Sequence, residues 1–147
     1  MKTGLQVRAA TPADAEIIAS HRYPGEVGEH LAVYAAWLPG VMSGGRYLGW
    51  LAEEGGRVIG GAGLLVLDWQ PSRTEASPVR GRVVNVFVEP EFRRQGLARH
   101  LLLGVLDEAR RLGVPGIGLS ATAEGRPLYA SLGFRASVGE MYLETLS

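Results

Sequence analysis

Residues Val83–Leu103 read VVNVFVEPEFRRQGLARHLLL. Val83–Val88 is a run of β-formers interrupted only by the polar Asn85, as suits a strand buried on both faces. Glu89-Pro90 ends it. A short basic turn with a single glycine follows. Leu97, Leu101, Leu102, Val105, Leu106, Ala109 and Leu112 then recur on one face, which predicts a helix from Gln95 or Gly96 to Leu112. Arg110 and Arg111 suit its C-terminal end and Gly113 stops it. Strand, basic turn and helix start together form an anion-binding arrangement. Backbone N–H groups and the positive end of the helix dipole both point at the turn, and Arg93, Arg94 and Arg99 add charge. The same pattern also occurs as a plain surface turn. It is not a P-loop, because no Gly-Lys-Ser/Thr follows, and Gly96 stands alone rather than in a GxGxxG fingerprint.

Working outward, Leu5–Ala9 reads as a first strand. Thr11 and Pro12 mark a helix start as N-cap and first helical residue, with Asp14 and Glu16 in the first turn. Tyr23-Pro24-Gly25 breaks that helix. Glu29–Leu38 predicts a second helix, closed by Pro39-Gly40. Tyr47–Glu53 and Val58–Leu67 read as strands joined by a hairpin at Glu54-Gly55-Gly56-Arg57. Gly60, Gly61 and Gly63 inside the second of them mark a bulge, a close backbone approach or a crowded packing site. Gln70–Arg82, with Pro71 and Pro78, reads as a loop: a lid or a plain connection. After the main helix come a short strand at Gly116–Leu119, a short helix at Glu124–Leu132 capped by Gly133, and final strands at Phe134–Ala136 and Met141–Leu146. Hairpin-linked strands combined with one β-α-β crossover predict a single mixed α/β sheet.

The chain has 147 residues, enough for one domain with a useful core. Fifteen basic and fifteen acidic residues leave no net charge, so no global attraction to nucleic acid or an anionic membrane is expected. The absence of cysteine removes disulfides, thiolate catalysis and thiolate metal sites, and it fits a reducing cytoplasm. His21, His30 and His100 lack paired ligand spacing, so no metal site is expected. No apolar run is long enough to span a bilayer, and the N-terminus lacks the apolar segment of a signal peptide.

Val88-Glu89-Pro90-Glu91-Phe92-Arg93-Arg94-Gln95-Gly96-Leu97-Ala98 resembles the acetyl-CoA signature of the GNAT N-acetyltransferase superfamily: a strand, V-x-P, then Arg/Gln-x-x-Gly-x-Gly/Ala opening a helix. Pro127-Leu128-Tyr129-Ala130-Ser131-Leu132-Gly133-Phe134 is similar to the family's later short helix and turn. The two blocks are separated by one helix and one strand, as in the family, and the predicted element order agrees along essentially the whole chain. The resemblance implies a mostly antiparallel twisted sheet flanked by helices, with a splayed strand pair holding the cofactor. It assigns Arg93, Arg94, Gln95, Gly96, Leu97, Ala98 and Arg99 to the CoA pyrophosphate, and Val86, Phe87 and Val88 to the pantetheine arm. The backbone N–H of Phe87 or Val88 would polarise the acetyl carbonyl. Tyr129 matches the family's general acid; taken alone, a tyrosine on a short helix would read as a packing residue.

The amine end departs from the family. Many members place an acid on the strand that holds Val83–Val88, whereas this chain has Asn85, which orients a water or the amine, or serves only the sheet. Ser120 stands where relatives often carry His. Glu26, Glu29 and Glu140 would favour a cationic acceptor, and Tyr23, Tyr34 and Trp37 would line its pocket or serve the core. The resemblance thus implies an acetyl-CoA-dependent N-acetyltransferase acting by direct attack of a small-molecule amine, with a homodimer through the sheet edge or final strands as a family habit. The rival readings are an acyl-CoA-binding sensor and an enzyme that modifies a protein N-terminus or lysine.

Overall fold

The computed structural model describes residues 4–137 and 139–145. Five strands form one sheet in the order β1 (Leu5–Ala9), β2 (Tyr47–Glu54), β3 (Arg57–Asp68), β4 (Val79–Val88) and β5 (Ile117–Gly118). The first four are antiparallel neighbours, and β5 runs parallel to β4. The parallel step requires a crossover, supplied by α3 (Leu97–Arg111). Its apolar stripe, with Leu101, Leu102 and Val105 almost wholly buried, packs on Ala52, Ile59, Ala62 and Leu64 of one sheet face. Each of those three side chains contributes roughly 1.5–3 kcal/mol by leaving water. On the other face α1 (Ala15–Arg22) and α2 (Glu29–Ser43) bury Ile18 and Leu38 against Tyr47 and Leu51. A short α4 (Arg126–Ser131) follows β5. The mixed α/β sheet expected from the sequence is therefore present.

Several boundaries differ. Pro12–Asp14 winds as a 3-10 turn before α1 begins at Ala15. There Asp14 accepts the Thr11 N–H at 2.8 Å and a two-pronged contact from Arg8, also at 2.8 Å. The second helix does not stop at Pro39 but carries it inside and ends at Ser43. Val41 and Met42 of this added turn pack on the α1–α2 core, and that burial offsets the hydrogen bond the proline cannot donate. Strand β4 starts at Val79, so the expected loop is shorter by its last four residues. Val79 and Arg80 pair with Asp68 and Leu67, while Gly81 and Arg82 pair with both β3 and β5. The final strands are absent: residues 134–136 and 141–145 carry no strand, and Leu146 lies outside the described residues. A strand needs a ladder beside it, and the edge strand β5 has only two paired residues.

The glycines of β3 are explained by close approach. A Cβ on Gly60 would lie 2.9 Å from the Phe87 carbonyl oxygen. One on Gly61 would meet Leu51 at 2.8 Å and His21 at 3.1 Å, and one on Gly63 would collide with the Tyr47 hydroxyl. Gly61 and Gly63 make room for two polar side chains from the helical layer and β2. His21 is 4% exposed and stacks on Phe87 with ring centroids 4.9 Å apart. Burial pushes its imidazole down to about 4, so it is neutral near pH 7.

Gly63→Ala is expected to lower stability by about 1–3 kcal/mol through overpacking against Tyr47. The readout is the urea midpoint; an unchanged midpoint would show that Tyr47 moves aside freely. His21 gives a second test. Between its ordinary value of 6.5 and about 4, the unfolded chain binds a proton that the folded chain refuses. Stability therefore falls as pH drops through that window, by about 3 kcal/mol once protonation is complete. Urea unfolding of wild type and His21→Leu near pH 7 and near pH 4 isolates this contribution, because every other titrating group is common to both. An equal pH dependence in the two proteins would refute it.

Candidate active site

The site begins with an irregularity in β4. Gly61 pairs with Phe87 and Gly63 with Val84, so Ala62 alone faces both Asn85 and Val86. This is a β-bulge, which bends and twists the strand that holds it. Asn85 adopts φ 58°, in the left-handed region where only short polar side chains are at all common. Its amide nitrogen donates to the Tyr34 hydroxyl at 2.8 Å and the Tyr47 hydroxyl at 3.1 Å. Strand β5 pairs with β4 only at Gly81 and Arg82. Beyond those residues, from the bulge to Val88, the two strands part.

The turn after β4 opens the gap further. Pro90–Phe92 forms a 3-10 turn, Arg94 sits at φ 62° and Gly96 at φ 81°, and α3 then starts at Leu97. Among the described residues Asn85 and Arg94 are the two non-glycine positions with positive φ. Such conformations cost on the order of 1–3 kcal/mol and persist where the surroundings enforce them. No side chain caps α3, so its first N–H groups have no partner within the helix. Arg57 ties the turn to the β2–β3 hairpin through Glu91 at 3.0 Å and Glu89 at 3.6 Å.

The parting of β4 and β5 leaves a cleft of about 610 Å³. One wall is Val86, Phe87 and Val88. The floor is the turn and helix start: Arg93, Arg94, Gly96, Leu97, Ala98 and Arg99. Tyr129 and Leu128 of α4 form the opposite wall. Gln95 is the one member of the expected turn outside the lining; its side-chain amide reaches the Glu91 carbonyl at 3.5 Å. Two of the three arginines are anchored rather than loose. Arg93 donates to the Val88 carbonyl at 2.8 Å, and Arg99 donates to the Ser131 hydroxyl at 2.9 Å, linking α3 to α4. Burial raises the Tyr129 phenol above its ordinary value, so the hydroxyl keeps its proton and can donate it. Thr122, Glu124 and Gly125 also line the cleft. They were not expected from the sequence, because nothing in a short polar loop marks it as a wall.

The amine-side residues are less gathered. Glu26 accepts from His30 at 2.9 Å and so has a partner already. Glu29 lines a separate hollow with Tyr23, His30, Val33, Tyr34 and Trp37. Glu140 is exposed and lines neither space. Asn85 lies between the two: it belongs to the strand that walls the cleft and bonds Tyr34 of the hollow. The parts played by Tyr34 and Tyr47 depend on contacts 51 and 38 residues away in the chain, beyond any local pattern. Among the described residues no cluster of three or more His, Asp or Glu residues could hold a metal ion, and no helix is long and apolar enough to cross a membrane.

Residues 15–134 match the family described as the Acetyltransferase (GNAT) family. A glucosamine 6-phosphate N-acetyltransferase from Trypanosoma brucei brucei is 32% identical over 89 residues, 60% of this chain. That match spans 58% of the relative's length. A GCN5-related N-acetyltransferase from Ralstonia eutropha JMP134 superposes with a TM-score of 0.84 at 30% identity, covering 96% of this chain and 98% of that one. A predicted acetyltransferase from Clostridium acetobutylicum, solved with acetyl-CoA, shares the fold with a TM-score of 0.89 at 23% identity over 95% of this chain and 96% of its own. A bulged β4, a basic turn into an uncapped helix and a tyrosine facing them thus occur in a chain that belongs to the GNAT acetyltransferase family.

Proposed function

We propose that the protein is an acetyl-CoA-dependent N-acetyltransferase that acts on the amine of a small molecule. The observation that carries this is the cleft itself, which places an uncapped helix start, a splayed strand and a protonated tyrosine around one space. Acetyl-CoA, when bound, would supply the activated thioester. The N–H groups of residues 94–99 hold its pyrophosphate, helped by the α3 dipole and the nearby arginines. Val86, Phe87 and Val88 present backbone groups along the pantetheine arm, and an N–H of Phe87 or Val88 stabilises the developing oxyanion. Tyr129 gives its proton to the departing sulfur. Asn85 orients the attacking amine; an amide cannot take the amine's proton, which passes to water. With no cysteine in the chain, direct attack by the amine is the simplest route.

Calorimetric titration with acetyl-CoA, using inorganic phosphate as a control, tests this reading. Micromolar binding of acetyl-CoA is expected, and Gly96→Asp should abolish it by putting bulk and charge at the pyrophosphate. Tyr129→Phe should keep that binding and lower kcat by about 100-fold or more on an amine panel that includes glucosamine 6-phosphate. Unchanged turnover would remove Tyr129 as the acid, and no binding would remove the enzyme reading.

We also propose that the protein forms a homodimer. Met141, Tyr142 and Leu143 are 97%, 90% and 80% exposed, and β5 leaves an open sheet edge among the described residues. A strand-forming apolar run without a ladder among the described residues, together with an open edge, favours pairing between copies. Sedimentation should show a dimer at micromolar concentration and a monomer for Leu143→Asp. A monomeric wild type would overturn the proposal.

A further inference from the structure

Arg22, the last residue of α1, lies against Tyr23 and Tyr34, two of the residues that line a hollow of about 600 Å³ together with Glu29, His30, Val33 and Trp37. Its guanidinium carbon is 5.3 Å from the Tyr23 ring centroid and 5.0 Å from that of Tyr34. Its Nε–H donates to the Tyr23 hydroxyl at 3.0 Å. Among the described residues no carboxylate pairs with it; Glu26, four residues along, is bonded to His30. Two rings and one hydroxyl therefore hold the side chain in place while the fork formed by its two terminal nitrogens stays open. A guanidinium ordered in advance in this way suits two-pronged binding of a carboxylate or a phosphate.

At the far end of the Tyr34 ring lies a second open group. Asn85 donates its amide nitrogen to the Tyr34 and Tyr47 hydroxyls. Its Oδ1 is buried and has no partner. A buried carbonyl left unsatisfied in a folded protein is costly, so it marks a place where a donor belongs. Tyr34 thus separates an open acceptor at the β4 bulge from an open cationic fork at the rim of the hollow.

We propose, resting on the N-acetyltransferase reading above, that these two groups recognise one acceptor at two points. Asn85 Oδ1 accepts a hydrogen bond from the amine, and Arg22 binds an anionic group, carboxylate or phosphate, elsewhere on the same molecule. Tyr34 is the positioning residue between them. Val33 and Trp37 give the acceptor's body an apolar wall; of the other ionisable groups on the hollow, Glu29 repels an anion and the His30 ring is taken up by Glu26.

The test uses enzyme saturated with desulfo-CoA and follows tryptophan fluorescence, since Trp37 lines the hollow and is 43% exposed. Two matched pairs are titrated: glucosamine 6-phosphate against glucosamine, and 4-aminobutyrate against its amide. At least one anionic member should bind about 10- to 100-fold more tightly than its neutral partner. Arg22→Gln should erase that preference, Arg22→Lys should restore part of it, and affinity for acetyl-CoA should stay at the wild-type value. The pair that responds identifies the anion as phosphate or carboxylate. Equal binding within both pairs, no binding of either anionic amine, or a preference that survives Arg22→Gln would overturn the proposal while leaving the cofactor reading intact. A wild type that binds no acetyl-CoA would remove both together.

Discussion

One extra residue in β4 governs the geometry of this protein. A strand whose residues all paired in register would run alongside β5 and leave no cleft. With Asn85 and Val86 both opposite Ala62, the strand bends, and its ladder with β5 ends at Arg82. The strained φ of Asn85 is held by two hydroxyls reaching in from α2 and β2. The Tyr47 hydroxyl in turn needs space above β3, which Gly63 provides, and Gly61 provides the same for the His21 ring. Bulge, tyrosines, glycines and neutral histidine therefore form one coupled arrangement. Its energetic cost is met by the packing of Leu101, Leu102 and Val105 on the opposite face.

Electrostatics follow from the same arrangement. Bending β4 directs the chain into a turn where Arg94 and Gly96 both take positive φ, and the helix behind it begins without a cap. An uncapped start with its N–H groups facing a cleft provides fixed positive partial charge and needs no rearrangement to use it. The arginines around it serve geometry as much as charge: Arg93 closes the turn onto Val88, and Arg99 ties α3 to α4, which carries Tyr129. Charge beside the hollow of Tyr23 and Tyr34 is organised differently. There a single guanidinium rests on aromatic rings, and the nearest acid in sequence is taken up by a histidine.

Much of the fold and of the cleft lining was legible in the sequence. The stripe from Leu97 to Ala109, the β-formers of Val83–Val88 and the double glycine at Gly55-Gly56 are local patterns, and each formed the element it predicts. The residues of the basic turn are near neighbours in the chain, so their gathering is a local event as well. What failed also has physical causes. Pro39 should end a helix, but Val41 and Met42 found a core beyond it. Residues 141–145 have strand character yet no ladder within reach. The substrate roles expected of Glu26 and Glu140 are a separate matter: the structure pairs the first with His30 and leaves the second exposed, outside the lining of both cavities.

The sequence by itself determined which stretches form the main helices and strands, which face of the longest helix is apolar, and that a basic turn opens it. These features depend on residues within a few positions of one another, where backbone sterics and side-chain periodicity act directly. Tertiary structure alone decided that Asn85 is strained and half-satisfied, that His21 is neutral, that the β3 glycines yield to side chains, and that Arg22 stands open beside Tyr34. Each of these is a contact or a desolvation set by chain segments brought together from far apart, and no local pattern encodes which distant group will arrive.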